Sequence, residues 1–207
     1  MKKVLFLILS AVVCLSVSAQ VQFGIKVGVD ATNFWGKTTE PQIVNYPWIV
    51  NHDMLLNYQV GLVMEYKCSP NFAIAPEVVF AAQGGKCTLD NPAMPTAHRQ
   101  TTYITNYINV PLMLKYYVSP ALSIDLGPQV GFNVYSKSKY SKNYRFDIKD
   151  YTKSVDFGVG LGGTYNLTEH AFIQARYTMG LTKVFKQDEH GNHAKNGNIQ
   201  LAFGMKF

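Results

Sequence analysis

The chain has 207 residues, one domain's worth, with 15% charged and 13% aromatic residues, including 13 Tyr. Low charge with many aromatics excludes a disordered chain. Without Lys2 and Lys3 the basic residues number 17 against 13 acidic, net +4, and they are too dispersed for a nucleic-acid patch.

Met1-Lys-Lys3 is a basic start, residues 4–13 are apolar, and Val17-Ser-Ala19 offers small residues for cleavage. The pattern predicts an export signal over residues 1–19 and a single domain over 20–207. Val13 ahead of Cys14 departs from the lipoprotein pattern, so an ordinary secretory signal is expected. Beyond it, no apolar run reaches the length of a transmembrane helix.

Instead, apolar residues alternate with polar or small ones, the period of a strand. Run 21–29 puts Val21, Phe23, Ile25, Val27 and Val29 on one face. Run 56–66 does so with Leu56, Tyr58, Val60, Leu62, Met64 and Tyr66, and run 72–82 with Phe72, Ile74, Val78 and Phe80. Run 104–116 shows Ile108, Val110, Leu112, Leu114 and Tyr116; run 122–134 shows Leu122, Ile124, Leu126, Val130, Phe132 and Val134. Run 155–165 sets Val155, Phe157, Val159, Leu161 and Tyr165 over Gly158, Gly160 and Gly162. Run 171–181 carries Ile173, Tyr177, Met179 and Leu181, and the last run alternates from Ile199 to Phe207. Each suffices to cross hydrocarbon as a tilted strand of about 9–11 residues.

Short connections at 69–71, 119–121 and 166–169 alternate with long polar segments near 34–55, 84–102, 136–152 and 183–197. That is the outer-membrane pattern: short periplasmic turns, long extracellular loops and an even strand count. The expected fold is all-β, an eight-stranded antiparallel up-and-down transmembrane β-barrel with both termini in the periplasm. Pro76, Pro111 and Pro128 fall inside runs and each removes a ladder donor, so a bulge or local break is expected at each. Cys68 and Cys87 fall at opposite ends of a strand, too far apart for a disulfide.

The segment Tyr107-Ile-Asn-Val-Pro-Leu-Met-Leu-Lys-Tyr-Tyr117, then Asp125-Leu-Gly-Pro-Gln-Val-Gly131, with Ile74-Ala-Pro-Glu-Val-Val-Phe-Ala-Ala-Gln-Gly84 ahead of it, resembles the PorT-like outer-membrane β-barrel family of Bacteroidetes. The likeness spans the mature chain. It implies an eight-stranded barrel in the outer membrane of a Gram-negative bacterium, and through the founding member a link to type IX protein secretion. Phe207, the terminal aromatic of an alternating strand, resembles the signal that such barrels present to their insertion machinery.

Candidate functional residues follow from the faces. Lys26, Glu65, Glu77, Lys115, Asp125, Asp156, Arg176 and Lys206 all take the inward phase, since Lys or Arg facing mid-bilayer lipid costs about 2–4 kcal/mol. Two readings stand: an ion or proton path, or a structural filling of a lumen just wide enough for side chains. Trp35, Tyr46 and Trp48 in the first long segment are either ligand-gripping loop aromatics or an interfacial girdle. The basic segment 136–153, with Lys137, Lys139, Lys142, Arg145, Lys149 and Lys153, suits lipopolysaccharide phosphates or plain solvation. His190 and His193, with His98 and His52 on other loops, are too sparse for a metal site, and no cofactor motif occurs. Expected partners are outer-membrane lipids, lipopolysaccharide and the insertion machinery. The leading reading is a non-enzymatic surface barrel without a wide pore. Its rivals are a small barrel enzyme, a secretion component, and a soluble lipocalin-like barrel that the inward charges disfavour.

Overall fold

The computed structural model describes residues 20–36, 49–90, 98–139, 145–186 and 194–207. Its strands are β1 (Val21–Trp35), β2 (Ile49–Asp53), β3 (Leu55–Lys67), β4 (Phe72–Asp90), β5 (His98–Tyr117), β6 (Leu122–Lys139), β7 (Arg145–Asp147), β8 (Val155–Asn166), β9 (Ala171–Gly180) and β10 (Lys195–Lys206). Every pairing is antiparallel and joins neighbours: β4–β3–β1–β10–β9–β8–β6–β5, with β5 returning to β4. This is a closed eight-stranded up-and-down barrel, with β2 and β7 as short additions on β4 and β6. Closure pairs the edges that an open sheet would expose.

Alternation decides which side chain faces where. Leu112, Leu114, Leu126, Leu161, Leu201 and Phe203 are exposed outside, while Met113, Lys115, Asp125, Arg176 and Ala202 are buried inside. An apolar exterior around a charged interior is the inverse of a soluble fold and fits a lipid solvent. Among the described residues no helix is long and apolar enough to cross a membrane; the strands cross.

The three short turns share one device. Ser69, Ser119 and Thr168 each accept, on the side-chain hydroxyl, the N–H of the residue three further on: Phe72 at 3.1 Å, Leu122 at 3.1 Å and Ala171 at 3.0 Å. A local hydroxyl acceptor closes a tight turn where the backbone runs out of ladder partners.

The prolines produce breaks without register shifts. Pairing lapses between β3 and β4 beside Pro76, between β4 and β5 beside Pro111, and between β5 and β6 beside Pro128, and it resumes in the same register each time. The register slips elsewhere, at Asn106/Tyr107 between β5 and β6. Beyond it Tyr135, Lys137 and Lys139 face out and Ser136 and Ser138 are buried.

Two expectations need correction. Residues 84–90, 98–102 and 136–139 are not loops but continuations of β4, β5 and β6, so the ladders run well beyond the membrane band. Trp35 is likewise strand, the last residue of β1. Polar side chains there pair as well in a ladder as in a loop, so polarity marks the end of the lipid band and not the end of the strand.

Candidate functional site: the charged lumen

The inward charges meet in two ion-paired clusters. In the upper one, Glu77 receives Lys26 Nζ on Oε2 at 2.7 Å, Arg176 Nη1 on Oε2 at 2.9 Å and Arg176 Nη2 on Oε1 at 2.7 Å. In the lower one, near the short turns, Glu65 Oε2 receives Lys115 at 3.0 Å and Lys206 at 2.9 Å, and Glu65 Oε1 receives the Tyr117 hydroxyl. Each carboxylate thus neutralises part of two cations, and charge-assisted bonds of this kind are the strong ones.

Asp125 departs from the expected ion-pair pattern. Hydroxyls hold it: Ser123 donates at 2.6 Å and Thr164 at 2.5 Å. Gln174 Nε2 donates to Thr164 Oγ1 at 3.2 Å and Gln174 Oε1 accepts from Lys26 at 2.9 Å, so a continuous polar chain links Asp125 to Glu77. Asp156 sits nearer the long-loop end, bonded by the Thr182 hydroxyl and by Asn196 Nδ2 at 2.8 Å. The eight sequence-derived charges therefore all face the lumen, but they form two clusters and two hydroxyl- or amide-held carboxylates, not one network of ion pairs.

Sequence reasoning passed over Asp30. It is fully buried and accepts from Gln59 Nε2 at 2.7 Å. It shares the even-numbered inward phase of Lys26 and Gly28 on β1, and extending that run by one residue reveals it.

Buried side chains fill what remains of the bore. Met113, Tyr107, Gln59 and Phe172 are at most 2% exposed. Between Glu65 and Glu77 lies a cavity of about 10 Å³, room for about one water. Phe172 packs on Gly204, where a Cβ would stand 2.2 Å from the ring's Cζ. Below the lower cluster, an open vestibule of about 410 Å³ at the short-turn mouth is lined by Gln22, Lys67, Asn166, Glu169 and Lys206.

The far mouth closes with apolar side chains. Phe34, Val184 and Ala194 are buried together against Tyr103 and Phe185, and the rings of Phe34, Tyr103 and Phe185 meet edge to face at 5.5–6.2 Å. Val184 is anchored by backbone bonds to Lys153 at 2.8 Å and Ala194 at 2.9 Å. Trp35 donates Nε1 to the Asn196 carbonyl at 2.9 Å, with Lys195 Nζ 4.7 Å from its ring. Tyr46, Trp48, His190 and His193 lie outside the described residues, as do the side chains of His52 and His98. Phe207 is 72% exposed, with its N–H donating to the Phe23 carbonyl at 2.8 Å.

A closed antiparallel ring with lipid-facing Leu, Val and Phe and an ion-paired interior defines a small transmembrane β-barrel of the outer-membrane class. The chain belongs to the family described as the outer membrane protein beta-barrel domain, which matches residues 16–186. Among solved structures it is similar to Neisserial surface protein A, with 12% identity and a TM-score of 0.52 over 89% of this chain and 97% of that one. It is also similar to Ail, the attachment invasion locus protein of Yersinia pestis, with 15% identity and a TM-score of 0.50 over 91% and 99% of the two chains. At these identities the likeness is one of fold. No curated protein matches the sequence.

Proposed function

We propose that this outer-membrane barrel is non-enzymatic and acts through its extracellular surface, not through its bore. The observation that carries the reading is the lumen plugged at three levels: the Glu65 cluster, the Glu77–Arg176 cluster with Met113, and the Phe34–Tyr103–Phe185 lid. Both clustered glutamates are saturated by cations, which leaves neither as a base or nucleophile. The long β4–β5 ladder above the lipid band supplies the surface.

The segments 107–117 and 125–131 support placing the chain in the PorT-like branch of the family, in Bacteroidetes, exported by a signal over residues 1–19. The exposed Phe207 side chain at the end of β10 supports its role as the insertion signal. The test uses purified protein in vesicles. The reading predicts no release of fatty acid or peptide fragments above empty vesicles, and no swelling with sugar-sized solutes. Either activity would replace it.

A further inference from the structure

The apolar column on the outside of β6 runs from Leu122 to Val134, roughly 30 Å at the usual strand rise and barrel tilt, one hydrocarbon core. Immediately above it the ladder registers line up a row of cations. Lys86 on β4 faces Thr102 on β5, Thr102 faces Lys139 on β6, and Lys139 faces Arg145 on β7. One step lower, Lys137 stands opposite Asp147, its Nζ 5.0 Å from the ring of Tyr135. The slip at Asn106/Tyr107 is what turns Tyr135, Lys137 and Lys139 outward; in the phase of the lower strand the buried Ser136 and Ser138 would have faced out.

Among the described side chains, two carboxylates share the patch. Asp53 faces Lys86 from β2 and accepts from the Thr88 hydroxyl at 3.2 Å; Asp147 accepts from the Lys149 backbone at 2.9 Å. Among the described side chains, four cations against two carboxylates leave the row positive. Lys139 and Arg145 are directly opposed like charges, which destabilise a ladder by themselves. An anion seated between them turns the repulsion into a clamp, and a guanidinium beside an ammonium is the donor set that phosphate takes.

We propose that this row, Lys86, Lys137, Lys139 and Arg145, binds the phosphates of a phosphorylated glycolipid of the outer leaflet. The position decides the occupant: the cations continue the lipid-facing surface at headgroup height, above the aromatic Tyr135, where a lipid whose acyl chains lie along β4 to β6 brings its phosphates. The proposal rests on the reading of the chain as a surface-acting membrane barrel and names a partner for it.

The experiment titrates the detergent-purified full barrel with bisphosphorylated lipid A and with its dephosphorylated form, and counts bound lipid by native mass spectrometry. The phosphorylated form binds more tightly and loses affinity with added salt. Lys139→Gln with Arg145→Gln weakens it about tenfold, while Lys183→Gln with Lys186→Gln, on the segment after β9, leaves it unchanged. Heat-modifiable migration checks folding, and if the double variant does not fold, Lys86→Gln and Lys137→Gln carry the same test. Equal binding of the two lipids, or undiminished binding by the folded row variants, overturns the proposal. Solute passage and hydrolysis are read separately, so failure here is distinguishable from failure of the surface-acting reading.

Discussion

Arg176 on β9 and Glu77 on β4 stand on opposite walls of the eight-stranded ring and meet in a two-point ion pair at 2.9 and 2.7 Å. The pair ties the barrel across its diameter, with Lys26 as a third member at 2.7 Å. Breaking a buried pair by removing one partner costs about 3–5 kcal/mol, because it strands the other charge. Glu77→Ala strands two cations, whereas Arg176→Met leaves Glu77 paired with Lys26. Unfolding in urea from lipid vesicles should therefore find Glu77→Ala the more destabilising of the two. Equal or reversed losses would mean that the two cations do not share one carboxylate.

Leu112 points to lipid and Met113, its neighbour, to the lumen. Leu112→Arg should destabilise the barrel by about 2–4 kcal/mol, as a basic side chain at the bilayer midplane does, and Leu112→Ala by less. A Leu112→Arg protein that folds into vesicles as well as the parent would place the strand faces one residue out of phase.

Gly204 makes room for Phe172. A Cβ there would lie 2.2 Å from Phe172 Cζ and 2.8 Å from the Ile25 carbonyl oxygen. Gly204→Val should cost about 1–3 kcal/mol through overpacking, and Phe172→Ala in the same chain should recover part of it. A double variant as unstable as the sum of the singles would show that the ring is not what the glycine accommodates.

The faces of the barrel were legible in the sequence because lipid outside and charge inside impose a strict period of two. That period placed Lys26, Glu65, Glu77, Lys115, Asp125, Asp156, Arg176 and Lys206 in the lumen. Which charge meets which was not legible: Glu77 and Arg176 are 99 positions apart, and their meeting follows from barrel closure and stagger, not from spacing. The extra length of β4, β5 and β6 was hidden because polar ladder residues above the membrane look like loop. The slip at Asn106/Tyr107 left no turn-forming Gly or Pro to mark it, so the outward phase of Lys137 and Lys139 emerged only from the ladder.

Cys68 is exposed just beyond β3 at the short-turn end, while Cys87 is buried far along β4. A disulfide needs Cα atoms within about 7 Å, and the intervening membrane strand spans on the order of 25 Å or more. A maleimide should label Cys68 in the folded protein and Cys87 only after unfolding. A Cys68–Cys87 peptide in unreduced mass spectrometry would contradict the strand topology.

Single-channel recording in planar bilayers tests whether the lumen is plugged. The stacked closures by Glu65 with Lys115 and Lys206, by Glu77 with Lys26 and Arg176, and by Phe34 with Tyr103 and Phe185 predict no stable porin-sized conductance steps. Reproducible large steps from the purified protein, absent from empty bilayers and from the unfolded chain, would contradict it.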